Sequence, residues 1–193
     1  MGMDTAVTAE QSVTAQAIIN EGMARNALLD KKSLGLYVLR TLFNGAKYMN
    51  FAWAHRWIKT FSESADKTVD FYADVFLFED LLLGQRISDK EELRRAFKVF
   101  ENTDPPGPAG TNVFDVLSYT GDAQHGVIEW VWHGKHVGEF LGVPAAGKET
   151  TVRGMTFHTY ENGKIVREAT FWDAVSALQQ VGALKPTIEF WKV

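Results

Sequence analysis

The stretch TTVRGMTFHTYENGKIVREATFWD, residues 150–173, decides the fold. Its Asn162-Gly163 pair lies between two runs rich in β-branched and aromatic residues. Asn-Gly in that setting specifies a two-residue type I′ hairpin, because both turn positions need positive φ. The turn pairs Glu161 with Lys164 and Tyr160 with Ile165. An unbroken ladder then sets His158 opposite Arg167, Thr156 opposite Ala169, Gly154 opposite Phe171 and Val152 opposite Asp173. Side chains alternate along a strand, so one face is expected to carry Gly154, Thr156, His158, Ala169, Phe171 and Asp173. The other carries Arg153, Met155, Phe157, Glu168, Thr170 and Trp172. The first set is small and apolar enough to border a cavity, with His158 and Asp173 as its main titratable groups. Asp173 stands roughly 20 Å of strand away from the rung of His158, too far for the two to form a dyad.

Working outward, residues 111–120, 126–137, 150–160 and 164–173 have strand character, and DAVSALQQVGAL closes the chain as a helix. The loop GVPAAGKE before the hairpin has Gly142, Gly147 and Lys148 at P-loop spacing, but Glu149 replaces the magnesium-holding hydroxyl residue. A phosphate loop must also open into a helix. Here a strand follows, so the loop is a connection and not a nucleotide site. Upstream, ENTDPPGPAG ends a helix begun by a Ser88–Glu91 capping box and continued through Leu93, Phe97 and Phe100. The run DFYADVFLFEDLLLG before it contains a strand with Phe76 and Phe78 on one face. The first 62 residues are helical in pattern: Thr8 with Gln11 forms a cap, and Leu39, Leu42, Phe43, Ala46, Met49, Trp53, Trp57 and Phe61 form one buried stripe. Helices followed by an antiparallel sheet define an α+β domain.

Composition narrows the function. A net charge of -4 gives no basic face for nucleic acid. No apolar run approaches the ~20 residues of a membrane span, and the N-terminus has no leader pattern. With no cysteine there are no disulfides, thiolate ligands or cysteine nucleophiles, and a cytoplasmic location is the default expectation. Glu129, His133 and His136 suggest a metal set, but His133 and His136 point to opposite faces of a strand. No metal is expected.

The segment HVGEFLGVPAAGKETTVRGMTFHTYENGKIVREATFWDAVSALQQVG, residues 136–182, resembles the SnoaL-like polyketide and ester cyclases of the nuclear-transport-factor-2-like superfamily. The matching positions are His136, Gly138, Phe140 and Gly142; Pro144, Gly147 and Lys148; Arg153-Gly154; Gly163-Lys164-Ile165; and Asp173 ahead of Gln179, Gln180 and Gly182. The resemblance implies a cystatin-like curved sheet, a cone-shaped half-barrel wrapped by N-terminal helices, usually dimeric, with an apolar pocket inside. It divides the chain into a helical extension over 1–45, the SnoaL-like domain over 46–184 and a tail over 185–193. Departures from the family pattern are Thr170 where relatives have the first Asp of a pair, Glu129 where Arg is common, and His158 where an aromatic is common.

The implied chemistry is a cofactor-independent cyclisation or isomerisation of a hydrophobic polyketide-like, terpenoid or steroid-like molecule. A carboxylate in an apolar cavity would carry one proton. Asp173 and His158 are the candidate catalytic residues, and Trp130, Trp132, Thr156, Phe171 and Tyr72 the candidate substrate contacts. Asp173 has a second reading as the N-cap of the last helix. The alternative for the whole domain is a non-catalytic small-molecule-binding or dimerisation module of the same fold.

Overall fold

A computed structural model describes residues 49–107 and 109–192. The expected extension over 1–45, with its cap at Thr8 and the Leu39–Ala46 part of the apolar stripe, lies outside the described residues. Helix α1 (Phe51–Glu63) starts at Asn50, whose side-chain oxygen accepts the Trp53 N–H at 2.9 Å. Its buried Trp53, Ala54, Trp57, Ile58 and Phe61 follow helical spacing and form the face laid against the sheet. A short α2 (Ala65–Val69) precedes the first strand, and α3 (Lys90–Phe97), which follows the second, buries Leu93 and Phe97. Its cap is Asp89, accepting from Glu92 N at 2.8 Å, one residue later than the expected Ser88.

The strands are β1 (Tyr72–Asp80), β2 (Gln85–Ile87), β3 (Thr111–Gly121), β4 (His125–Lys135), β5 (Glu139–Phe140), β6 (Val143–Pro144), β7 (Glu149–Glu161) and β8 (Lys164–Trp172). Six of them form one curved sheet in the order β2-β1-β8-β7-β4-β3, and β5 and β6 form a small separate ribbon. Every pairing is antiparallel except that of β1 with β8, which is parallel. Helix α4 (Ala174–Gln180) follows the last strand. The P-loop-like segment passes from β6 through a turn directly into β7, with Gly142 and Gly147 both at φ 75°. No helix N-terminus stands there to receive a phosphate.

The hairpin turn forms as its Asn-Gly pair requires, with φ of 50° and 79°. The ladder beyond it departs from the unbroken register. Tyr160 pairs with Ile165, but Thr159 pairs with Arg167, leaving Val166 as an extra residue on β8. Because the side-chain period is two, this single bulge inverts the rest of the strand. Glu168, opposite His158, and Thr170, opposite Thr156, turn to the concave face with Trp172. Phe171 and Asp173 turn away from it. The inversion takes the always-charged Arg167 out of the interior, where the unbroken ladder would have put it, and lets its guanidinium bind Glu79 at 2.6 Å.

The concave face is lined with aromatics, and glycines make room for them. A Cβ on Gly154 would lie 2.2 Å from Trp130 Cζ2, so the indole lies flat over the glycine backbone. Gly154→Ala should therefore displace Trp130 and cost about 1–3 kcal/mol by overpacking, measured by urea unfolding. A variant as stable as the parent would show that the indole is not fixed there.

Candidate active site

The concave face of the sheet, α1 and α3 enclose a cavity of about 500 Å³. Its wall is largely aromatic, with Trp57, Phe61, Phe97, Phe114, Trp130 and Trp132 among the lining residues. Three carboxylates line it: Glu139 is exposed on β5, whereas Asp80 and Glu168 are buried and held differently. Asp80 Oδ1 accepts the Leu82 and Leu83 N–H groups at 3.0 and 2.9 Å, and Oδ2 accepts Trp172 Nε1 at 3.0 Å. It ties the β1–β2 turn and fixes an indole.

Glu168 is 2% exposed, and both of its recorded partners meet one oxygen, Oε2. The Tyr72 hydroxyl donates a short hydrogen bond to it. His158 Nε2 lies 3.2 Å from it without forming a hydrogen bond. The other imidazole nitrogen, Nδ1, is 3.1 Å from the Tyr160 hydroxyl. The ring stands edge-on to Trp53 and Trp57, with centroid distances of 5.8 and 4.7 Å, so the α1 stripe clamps it. Burial pushes the Tyr72 phenol well above its ordinary pKa, and the charge of Glu168 and the hydrogen bond to it push the same way. Tyr72 is therefore a protonated donor at neutral pH. Nearby, Trp130 Nε1 donates to Thr156 Oγ1 at 2.9 Å, and Thr156 lies 3.1 Å from Thr170 Oγ1. A carboxylate braced through one oxygen and set in an aromatic wall can exchange a proton with a bound molecule.

The structure sorts the residues singled out from the sequence. Trp130, Trp132 and Thr156 line the cavity. Tyr72 and His158 stand behind Glu168 as its supports and are not part of the wall. Phe171 is 43% exposed on the outer face, beside Phe157. Asp173 is exposed and accepts Ser176 N at 2.8 Å, the N-cap of α4. The bulge at Val166 puts both residues outside. Glu129 binds Arg153, His133 Nδ1 lies 3.1 Å from Thr151 Oγ1, and His136 is buried elsewhere, so these three do not converge. Glu168 is the residue that sequence reasoning placed on the wrong face. The signal lay in Arg167: an unbroken ladder would drive its guanidinium into an apolar cavity, and one slipped residue replaces it there by Glu168, to which Tyr72 donates a hydrogen bond.

A curved sheet wrapped by helices around an aromatic cavity is the architecture of the ketosteroid-isomerase-like α+β fold. Residues 54–181 match the family model of the SnoaL-like polyketide cyclases, and the chain belongs to that family. A Shewanella putrefaciens protein described as a SnoaL-like polyketide cyclase superposes with a TM-score of 0.56 at 13% identity, covering 68% of this chain and 94% of that one. TsrD from Streptomyces laurentii gives 0.56 at 17% identity, covering 67% and 92%. A Catenulispora acidiphila protein with a ketosteroid isomerase-like fold, solved with trimethylamine, gives 0.54 at 16%, covering 66% and 90%. At these identities the likeness is one of fold. No curated protein matches the chain.

The buried phenols give a testable pH dependence. Tyr72, Tyr119 (raised to about 12) and Tyr160 are all pushed up, chiefly by burial. The unfolded chain ionises its tyrosines near pH ~10 while the folded protein keeps these three protonated. Their contribution to stability is thus fully present below about pH 10 and lost as pH rises further. In an alkaline titration, phenolate absorbance from these residues should appear together with loss of circular dichroism. Full ionisation of all tyrosines with the fold intact would contradict their burial.

Proposed function

We propose that the protein is a cofactor-independent cyclase or isomerase in which Glu168 carries one proton on a polyketide-like, terpenoid or steroid-like substrate. The observation that carries this is the placement of Glu168: on the wall of an aromatic cavity, with Tyr72 and His158 braced against a single carboxylate oxygen. In an aldol-type ring closure the carboxylate takes a proton from the carbon next to a substrate carbonyl. The resulting enolate carbon bonds to a second carbonyl carbon, and the alkoxide so formed takes the proton back from Glu168. In an isomerisation the same proton returns to a different carbon. Tyr72 and His158 are positioning residues, and the aromatic wall folds the substrate so that the reacting atoms meet.

The test is exchange of α-hydrogen for deuterium in heavy water on a panel of ketones, including β-tetralone and an open-chain diketone, followed by NMR. Wild type should accelerate exchange of at least one ketone, and Glu168→Gln should lower the rate ~10²- to 10⁴-fold with the melting temperature retained. Asp173→Asn should leave the rate near wild type, since Asn caps a helix about as well as Asp. Binding of these ketones without any exchange would replace the enzyme by a non-catalytic pocket module.

We also propose that the protein pairs with a second copy through the outer face of the sheet. Met155, Phe157 and Phe171 are 40%, 44% and 43% exposed there, and the Phe157 and Phe171 rings lie 6.1 Å apart. Such a cluster on neighbouring strands suits a self-complementary two-fold interface. Light scattering should give twice the 21.6 kDa chain mass, and Phe157→Glu should shift the population to monomer. A wild-type monomer at micromolar concentration would refute the pairing.

A further inference from the structure

The cavity has a second polar pole that the proton chemistry of Glu168 leaves unused. It is built on one rung of the sheet, where Asn112 of β3 faces Gly134 of β4, and Gly134 faces Thr150 of β7. Residues facing each other across a rung share a side, so all three are on the concave face. A Cβ on Gly134 would sit 2.8 Å from Trp132 Cζ2 and 3.0 Å from Thr150 Oγ1, so the indole lies across the glycine. From there Trp132 Nε1 reaches Asn112 Oδ1 at 2.9 Å. His136, just past the end of β4, packs its ring 5.9 Å from that of Trp132 and sets Nε2 3.0 Å from Thr150 Oγ1. Asn112 and His136 both line the cavity and are 0% and 1% exposed.

Two atoms of this cluster, Asn112 Nδ2 and His136 Nδ1, are buried with no hydrogen-bond partner. Their chemical character follows from the partners the other atoms do have. An indole N–H can only donate, so the Asn112 atom facing Trp132 is the amide oxygen, and the unpartnered atom is the NH₂ donor. Thr150 is 2% exposed, and its hydroxyl pairs with His136 Nε2. If the hydroxyl donates to Nε2, the imidazole proton is on Nδ1 and a single donor is left over. If Nε2 donates instead, both the hydroxyl hydrogen and the Nδ1 lone pair go unused, at greater cost. The first arrangement wins, so Nδ1–H is a donor too. Burial lowers the His136 pKa below its ordinary value, which keeps the ring neutral at pH 7. Two neutral donors beside one indole suit a neutral acceptor oxygen.

We propose that Asn112 and His136 form a subsite for a carbonyl oxygen of the ligand, opposite the end at which Glu168 acts. Gly126, which faces His158 on the Glu168 rung, and Gly134 are eight positions apart on β4, so the subsite is separate from the Glu168 end. The subsite rests on the cavity's being a small-molecule site, but not on Glu168 moving a proton.

The test compares fluorenone with fluorene, the same skeleton without the carbonyl, by quenching of tryptophan fluorescence. Wild type should bind fluorenone roughly tenfold more tightly, the worth of one to two net hydrogen bonds. Asn112→Asp keeps the acceptor for Trp132 and removes the donor, and His136→Phe removes the other donor. Each should reduce the preference, and the double variant should abolish it. Glu168→Gln should keep the preference even where it loses exchange activity, which separates failure of the subsite from failure of the proton carrier. If Asn112→Asp does not fold, as judged by circular dichroism, His136→Phe alone decides. Equal binding of the two probes by wild type, or a full preference in the folded variants, overturns the proposal.

Discussion

A carboxylate enclosed by aromatic side chains is tolerable only where other groups compensate for the water it has lost, and the architecture around Glu168 is organised by that constraint. Each support comes from a different element. Tyr72 is at the first position of β1, His158 is across the rung on β7, and the indoles that hold the imidazole edge-on belong to α1. The parallel pairing of β1 with β8 brings the Tyr72 hydroxyl within reach of Glu168 from a residue 96 positions earlier in the chain. Tyr72 supplies a hydrogen bond in place of water at that oxygen, and His158 stands beside it.

The same sheet shows how small backbone decisions set side-chain chemistry. One extra residue at Val166 exchanges an arginine for a glutamate at the cavity and sends a phenylalanine and an aspartate outside. Gly154 and Gly134 leave flat patches on which Trp130 and Trp132 lie. Each indole N–H then reaches an oxygen, Thr156 Oγ1 or Asn112 Oδ1, so the large aromatics are fixed in orientation as well as in place. The cavity wall is thus rigid and apolar, with polar atoms at a few defined points.

Membership of the SnoaL-like family accounts for the curved sheet and the pocket, but it does not fix which carboxylate faces that pocket. Asp173, read from the sequence both as a proton carrier and as a helix cap, caps α4, while Glu168, five positions earlier, lines the cavity. A fold accommodates a proton carrier on any strand that faces its interior, so function follows from the site and not from the motif.

The sequence alone determined the elements and their order. Alternation specified the four long strands, Asn162-Gly163 the hairpin turn, the proline loop the end of α3, and the three- and four-residue spacing of Trp53, Trp57 and Phe61 the buried face of α1. These signals are local, so one chain segment suffices to display them. Trp130, Trp132 and Thr156 were legible as wall residues because their parity on β4 and β7 does not depend on the bulge. Glu168 as a wall residue was not legible. A bulge is selected by the difference in burial cost between Arg167 and Glu168, and that difference exists only once α1 and β1 have closed the space in front of β8. The convergence of Tyr72, His158 and Glu168, and of Asn112 with His136, likewise joins residues far apart in the chain. Tertiary packing alone decided those sites, because the energies that select them are those of desolvation and pairing across strands.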